Sequence, residues 1–198
     1  MPAMPETIAT LDIESRLGWP DELRVLLREH PRETWSTHPN LGHLARFWLD
    51  IHNGFRSYAA MLKDSAGEFR EGLVTPERFR AEFAPRLQVF LSHLENHHQI
   101  EDFQFFPAFS VAEPRLLKGF EVLETDHETI HAAMDRLVET ANGFMQAPAA
   151  DNDRMRYAGD AFVDSGDRLI RMLGRHLDDE EDLIIPLILE RSEPGLGL

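Results

Sequence analysis

Pro107 and Pro186 stand 79 residues apart, and the same offset carries His52 onto His131, His97 onto His176, Glu101 onto Glu180 and Asp102 onto Glu181. One such match means little. Several at a single offset, on residue types that are rare on the inward face of a helix, mark an internal repeat. Apolar residues recur at helical spacing through most of the chain and no stretch alternates as a strand would, so the repeated unit is a pair of helices. Four long helices with short connections, each apolar on one face, must bury those faces against one another. The expected fold is therefore all-α: an antiparallel up-down-up-down four-helix bundle with an N-terminal helical arm.

Residues 1–39 read as the arm, in which Trp19-Pro20-Asp21 starts a short helix over Glu22 to Glu29 and Pro31 stops it. The bundle takes residues 40–191, and residues 192–198 form a tail. Its first helix is expected from about Leu41 to Lys63, with Leu41, Leu44, Trp48, Phe55, Ala59 and Leu62 inward and Gly67 and Gly72 marking the loop that follows. Thr75-Pro76-Glu77 starts the second, which carries Phe83, Leu87, Phe90 and Leu94 toward Pro107. Glu113-Pro114 opens the third, with Leu116, Phe120, Leu123, Met134 and Val138 on one face; Asn142-Gly143 and Pro148 break it. Asp151 or Asp153 caps the fourth, which turns Phe162, Leu169, Leu173, Leu183 and Leu187 inward and ends near Arg191. Pro107 and Pro186, each six residues past a repeated glutamate, are expected to kink or end their helices.

The 35 acidic and 20 basic side chains leave a net charge of −15, which argues against a broad nucleic-acid or anionic-membrane surface while favouring metal cations. The longest apolar run, Leu183 to Leu189, is interrupted by Pro186 and is too short to span a bilayer. The first residues have neither the basic start nor the apolar stretch of a secretory leader, and there is no cysteine to form a disulfide, a thiolate ligand or a nucleophile. A cytoplasmic location is the expectation. No Gly-x-Ser-x-Gly elbow or phosphate-cradling glycine loop is present.

Against this background the ten histidines stand out. An α-helix turns 100° per residue, so His97 and Glu101, His127 and His131, and His176 and Glu180 each lie about 40° apart on one helix face. Each pair falls inside its helix's apolar stripe, where an imidazole or carboxylate costs several kcal/mol unless compensated. A lone inward histidine such as His52 also suits an ordinary core, and a single pair at this spacing also suits a solvated face. Seven such groups from four helices require a shared partner, and a pair of metal ions supplies one. His98 lies about 60° from the centre of its stripe and Asp102 farther still, which places His98 at the helix edge, beside a ligand rather than among the ligands. His30, His38, His43 and His93 fall outside the set.

His52, His97-His98-Gln99-Ile100-Glu101, Asp126-His127 to His131, and His176 to Glu180 resemble the hemerythrin-like (HHE cation-binding) family over roughly residues 41–190. The resemblance implies a four-helix bundle holding a non-haem pair of iron ions with an oxo or hydroxo bridge. His127, His131 and His176 would bind one iron and His52 and His97 the other, with Glu101 and Glu180 bridging. Oxygen-carrying hemerythrins place their last carboxylate five residues after its histidine, as an aspartate. Here that position is Glu181, about 140° round the helix from His176, whereas Glu180 is at about 40° and is also the residue the repeat selects.

The repeat maps His127 onto Trp48, so the first helix lacks the third nitrogen ligand. The two-histidine metal is left with an open position, which Trp48, one turn from His52, would wall. An open, largely apolar site at reduced iron suits a small diatomic ligand: dioxygen, nitric oxide or peroxide. The leading reading is a protein that binds dioxygen or nitric oxide for carriage or sensing. The alternatives are a di-iron enzyme acting on peroxide or nitric oxide, and an iron storage or delivery protein. A ferritin-like oxidase fails, because the first helix offers no inward glutamate and the fourth no Glu-x-x-His.

Overall fold

The computed structural model describes residues 11–148 and 152–197, among which every regular element is helical. In order these are α1 (Val25–Glu29), α2 (Arg32–Trp35), α3 (His43–Arg70), α4 (Pro76–Ile100), α5 (Phe106–Ala112), α6 (Leu117–Gln146) and α7 (Asn152–Arg191). A π-helical turn, Glu101–Phe105, stands between α4 and α5, and a 3-10 turn, Pro114–Leu116, leads into α6. The first ten residues of the arm and the Asp151 cap lie outside the described residues. Among those residues no helix is long and apolar enough to cross a membrane.

The chain forms two compact units. One comprises Ile51–Ile100 and Glu128–Leu173, that is, segments of α3, α4, α6 and α7. Phe69, near the end of α3, stacks on Phe79, near the start of α4, with ring centres 4.6 Å apart. Phe144, near the end of α6, stacks on Phe162 of α7 at 6.1 Å and packs edge-on against Phe69 at 4.9 Å. Ends of two helices thus meet starts of the other two, the alternating directions expected of the bundle. Gly159 belongs to this junction, because a Cβ there would stand 2.6 Å from the Phe69 ring.

The other unit takes residues up to Asp50, Glu101–His127 and the chain from Gly174 onward. Here the arm supplies core: Trp19, Leu23, Leu26 and Trp35, with Leu41 beyond them, pack with Phe106, Phe109, Phe120 and Leu123 and with the last turns of α7. Leu183, Ile184, Ile185, Leu187, Ile188 and Leu189 are all at most 1% exposed. A helix that is apolar all round needs cover on every side, and the arm provides the outer side.

Several boundaries differ from expectation for local reasons. The buried stripe of α3 is Ala45, Trp48, His52, Phe55, Ala59, Leu62 and Ala66, at alternating spacings of three and four, with Leu44 partly buried against the core beside Ala45. Helix α3 runs through Gly67 to Arg70, and α6 runs through Asn142-Gly143 to Gln146. On α6, Leu137 is buried and Val138 is 43% exposed, one residue off the expected stripe. Helix α1 begins three residues late, at Val25. Pro186 does not end α7. A mid-helix proline costs about 3 kcal/mol, which the six buried side chains around it, at about 1.5–3 kcal/mol each, outweigh. Pro107 behaves as expected: α4 gives way to the π turn at Glu101, and Pro107 sits in the first turn of α5.

Candidate metal centre

Glu101 opens the π turn, His127 lies on α6, and His176 and Glu180 lie one turn apart on α7. All four are at most 1% exposed. The Nε2 atoms of His127 and His176 face each other at 3.0 Å. Glu101 Oε2 is 3.6 Å from His127 Nε2, and Glu180 Oε2 is 3.2 Å from His176 Nε2. One ligand atom from each residue lies within 4.8 Å of every other. Donors held about 2.0–2.2 Å from a common ion, at tetrahedral or octahedral angles, stand about 2.9–3.6 Å from their neighbours. Two imidazoles and two carboxylates at this spacing fit a divalent transition metal.

The other nitrogen of each ring is also engaged. His127 Nδ1 donates to Asp102 Oδ1 at 2.7 Å, and His176 Nδ1 lies 3.5 Å from Asp126 Oδ2. Tying Nδ1–H to a carboxylate leaves Nε2 as the bare, more basic nitrogen, the form a metal requires. Phe106 stacks on the His127 ring at 5.5 Å and closes that side against water.

Burial pushes the Glu101 carboxyl well above the usual carboxylate range, and neighbouring Glu180 raises it further. Burial alone would lower the His176 imidazole, but hydrogen bonds to Asp126 and Glu180 override it and hold the ring up at about 9. His127 moves down, chiefly through burial, with Asp102 opposing. Without a cation, the pocket therefore retains protons.

Trp48 joins the same group. Its Nε1–H donates to Glu180 Oε1 at 2.6 Å, and its ring meets Phe105 edge-on at 4.9 Å. Where the repeat would set a histidine, the indole instead holds a carboxylate. Glu181 turns to Arg32, which donates to it at 2.9 Å, so of the two adjacent glutamates it is Glu180 that enters the cluster.

In the other unit His52, fully buried, meets His97 edge-on at 5.3 Å, and Phe55 packs on His97 at 5.0 Å. His131 is 32% exposed at its side chain and is not one of the four clustered residues. Its Nε2 lies 3.1 Å from His98 Nδ1 and 3.3 Å from Glu95. His98, expected at a helix edge, is fully buried, because a bundle helix buries a stripe wide enough to include a residue about 60° off centre. Asp102 and Asp126 are not among the expected site residues, yet they partner the His127 and His176 rings. At the surface, His30 pairs with Glu190 at 2.8 Å, with Glu29 beside them.

A family model described as the hemerythrin HHE cation-binding domain matches residues 43–188. No curated protein and no solved structure matches the chain. With buried histidines and carboxylates converging inside the matched region, the chain belongs to the hemerythrin HHE cation-binding family.

Proposed function

We propose that the chain is a cytoplasmic non-haem di-iron protein that binds a small diatomic, dioxygen or nitric oxide, at an open iron position for carriage or sensing. The observation that carries this reading is the buried set of Glu101, His127, His176 and Glu180, whose donor atoms all lie within 4.8 Å of one another. One iron would be held by His127, His131 and His176 and the other by His52 and His97, with Glu101 and Glu180 bridging. When bound, the iron pair supplies reversible electron donation to a diatomic ligand. The chain's own residues set the terms. Asp102 and Asp126 fix the ring orientations, Trp48 holds Glu180, and Phe106 and the aromatic residues around Trp48 keep the surroundings apolar. No third imidazole comes from position 48, which favours one iron being left open to ligand.

The test is the visible spectrum of iron-loaded protein, reduced anaerobically and then exposed separately to dioxygen and to nitric oxide. A distinct spectrum with either gas that reverses when the gas is removed supports binding. Irreversible oxidation, or turnover of added peroxide, would move the assignment to an enzyme.

A further inference from the structure

Helix α7 carries five acidic residues in succession, Asp178-Asp179-Glu180-Glu181-Asp182, of which Asp179, Glu180 and Glu181 are buried. Buried carboxylates need compensating cations, and for this stretch the arm delivers two. Arg32 donates to Glu181 and Asp182. Arg16, only 4% exposed, donates its Nε–H to Asp179 Oδ2 at 2.7 Å. Both terminal nitrogens of the same guanidinium fork onto the two oxygens of Asp126. Such a two-pronged bond fixes the carboxylate's direction as well as its charge. Asp126 is the residue whose Oδ2 lies 3.5 Å from His176 Nδ1. Trp19 seals the arrangement: its ring covers the Arg16 guanidinium at 4.8 Å and its Nε1–H donates to the Asp179 carbonyl at 2.6 Å. The series Arg16, Asp126, His176 thus runs from the arm to a ligand ring, with no member more than 4% exposed.

We propose that Arg16 is a positioning residue of the metal centre, acting through Asp126 to aim the His176 ring, so that docking of the arm and metal affinity are thermodynamically linked. The inference rests on the reading of His176 as a ligand. If the guanidinium leaves, Asp126 loses the fork that orients it and the ring loses its fixed partner. Linkage is reciprocal: whatever factor the docked arm adds to metal affinity, bound metal must add to arm docking. The arm also contains a reporter. Leu17 is 96% exposed between buried Arg16 and Trp19, and Gly18 after it has φ +148°, a conformation open to glycine.

The experiment uses the full chain with Fe2+ under anaerobic conditions. Iron content is measured first, then the rate of chymotrypsin cleavage after Leu17 with and without Fe2+, then Fe2+ affinity by chelator competition. Partners behind the ligands typically set 10–100-fold in affinity, so the expected result is about tenfold slower cleavage with Fe2+ and about tenfold weaker Fe2+ binding in Arg16→Ala. Arg28→Ala, which removes a half-exposed arm arginine bonded to Asp21, should leave affinity unchanged. In an Asp126→Asn background, Arg16→Ala should cost no further affinity, an outcome that a merely structural role would not produce. A chain that takes up no iron overturns the metal reading and this inference with it. A chain that takes up iron while its arm is cleaved at the same rate overturns this inference alone. That arm measurement needs only the unaltered protein, so it stands even if Arg16→Ala does not fold.

Discussion

Replacing Trp48 by phenylalanine in the metal-free chain removes the buried hydrogen bond to Glu180 and the outer part of the indole. Indole and carboxylate are 4% and 0% exposed, and the donor stands 2.6 Å from Glu180 Oε1. A hydrogen bond to a charged group contributes about 1.5–3 kcal/mol. Phenylalanine keeps the six-membered ring against Phe105, whose centre lies 4.9 Å from the indole. Losing the rest of the indole leaves roughly 40 Å³, worth about 1 kcal/mol at about 24 cal/mol per Å³. Together these come to roughly 3 kcal/mol. With a urea slope of about 2 kcal/mol per M, the unfolding midpoint should fall by about 1.5 M. Urea titrations of the two proteins at neutral pH, followed by far-ultraviolet circular dichroism, measure this directly. A drop of about 0.5 M or less is what the cavity alone would give, and would refute a supporting bond from Trp48 to Glu180.

Two glycines of α7 should respond in opposite directions. Gly159→Ala drives a methyl into Phe69, a ring already stacked against Phe79 and Phe144, and should destabilise by about 1–3 kcal/mol in thermal unfolding. Gly174→Ala meets nothing within 4 Å and should stabilise by about 0.5–1 kcal/mol, the ordinary helix preference for alanine. Arg115 and Arg191 hold the Glu113 carboxyl down at about 2. A depressed folded value adds stability that is complete above about pH 4.5 and is lost as pH falls toward 2. Both arginine side chains are about half exposed, so screening reduces the contribution to about 1–2 kcal/mol, readable as the acid-side loss in Glu113-containing protein that Glu113→Gln lacks. Because Glu101 is raised and His176 is held at about 9, metal uptake near neutral pH must expel protons. Affinity should therefore rise with pH up to about 9, with proton release measurable in weakly buffered titrations.

The helices and the clustered histidines and glutamates were legible because both leave periodic marks. The three-and-four spacing of α3 and the 79-residue offset survive in a single sequence, since each buried position must recur every turn. The geometry of Glu180 against Glu181 followed from 100° per residue alone. Asp102 and Asp126 were not legible, because a carboxylate that orients a buried histidine ring looks in sequence like any other surface acid. The arm was opaque for another reason. Arg16 finds Asp126 and Asp179 at separations of 110 and 163 residues, and no local pattern encodes pairings that distant. That Pro186 lies within α7 rather than at its end was not legible, because its cost is set against burial of the whole Leu183–Leu189 stretch, a tertiary quantity. His98 lies buried rather than at the helix edge, because the neighbouring helices widen the stripe beyond its centre line.

The most direct test of the metal assignment is the iron content per chain, after anaerobic reconstitution and desalting, of the unaltered protein and of His127→Ala/His176→Ala. The expected result is about two irons in the first and no more than one in the second, both chains keeping their helical circular dichroism. Equal iron in both, or none in the unaltered protein, would contradict it.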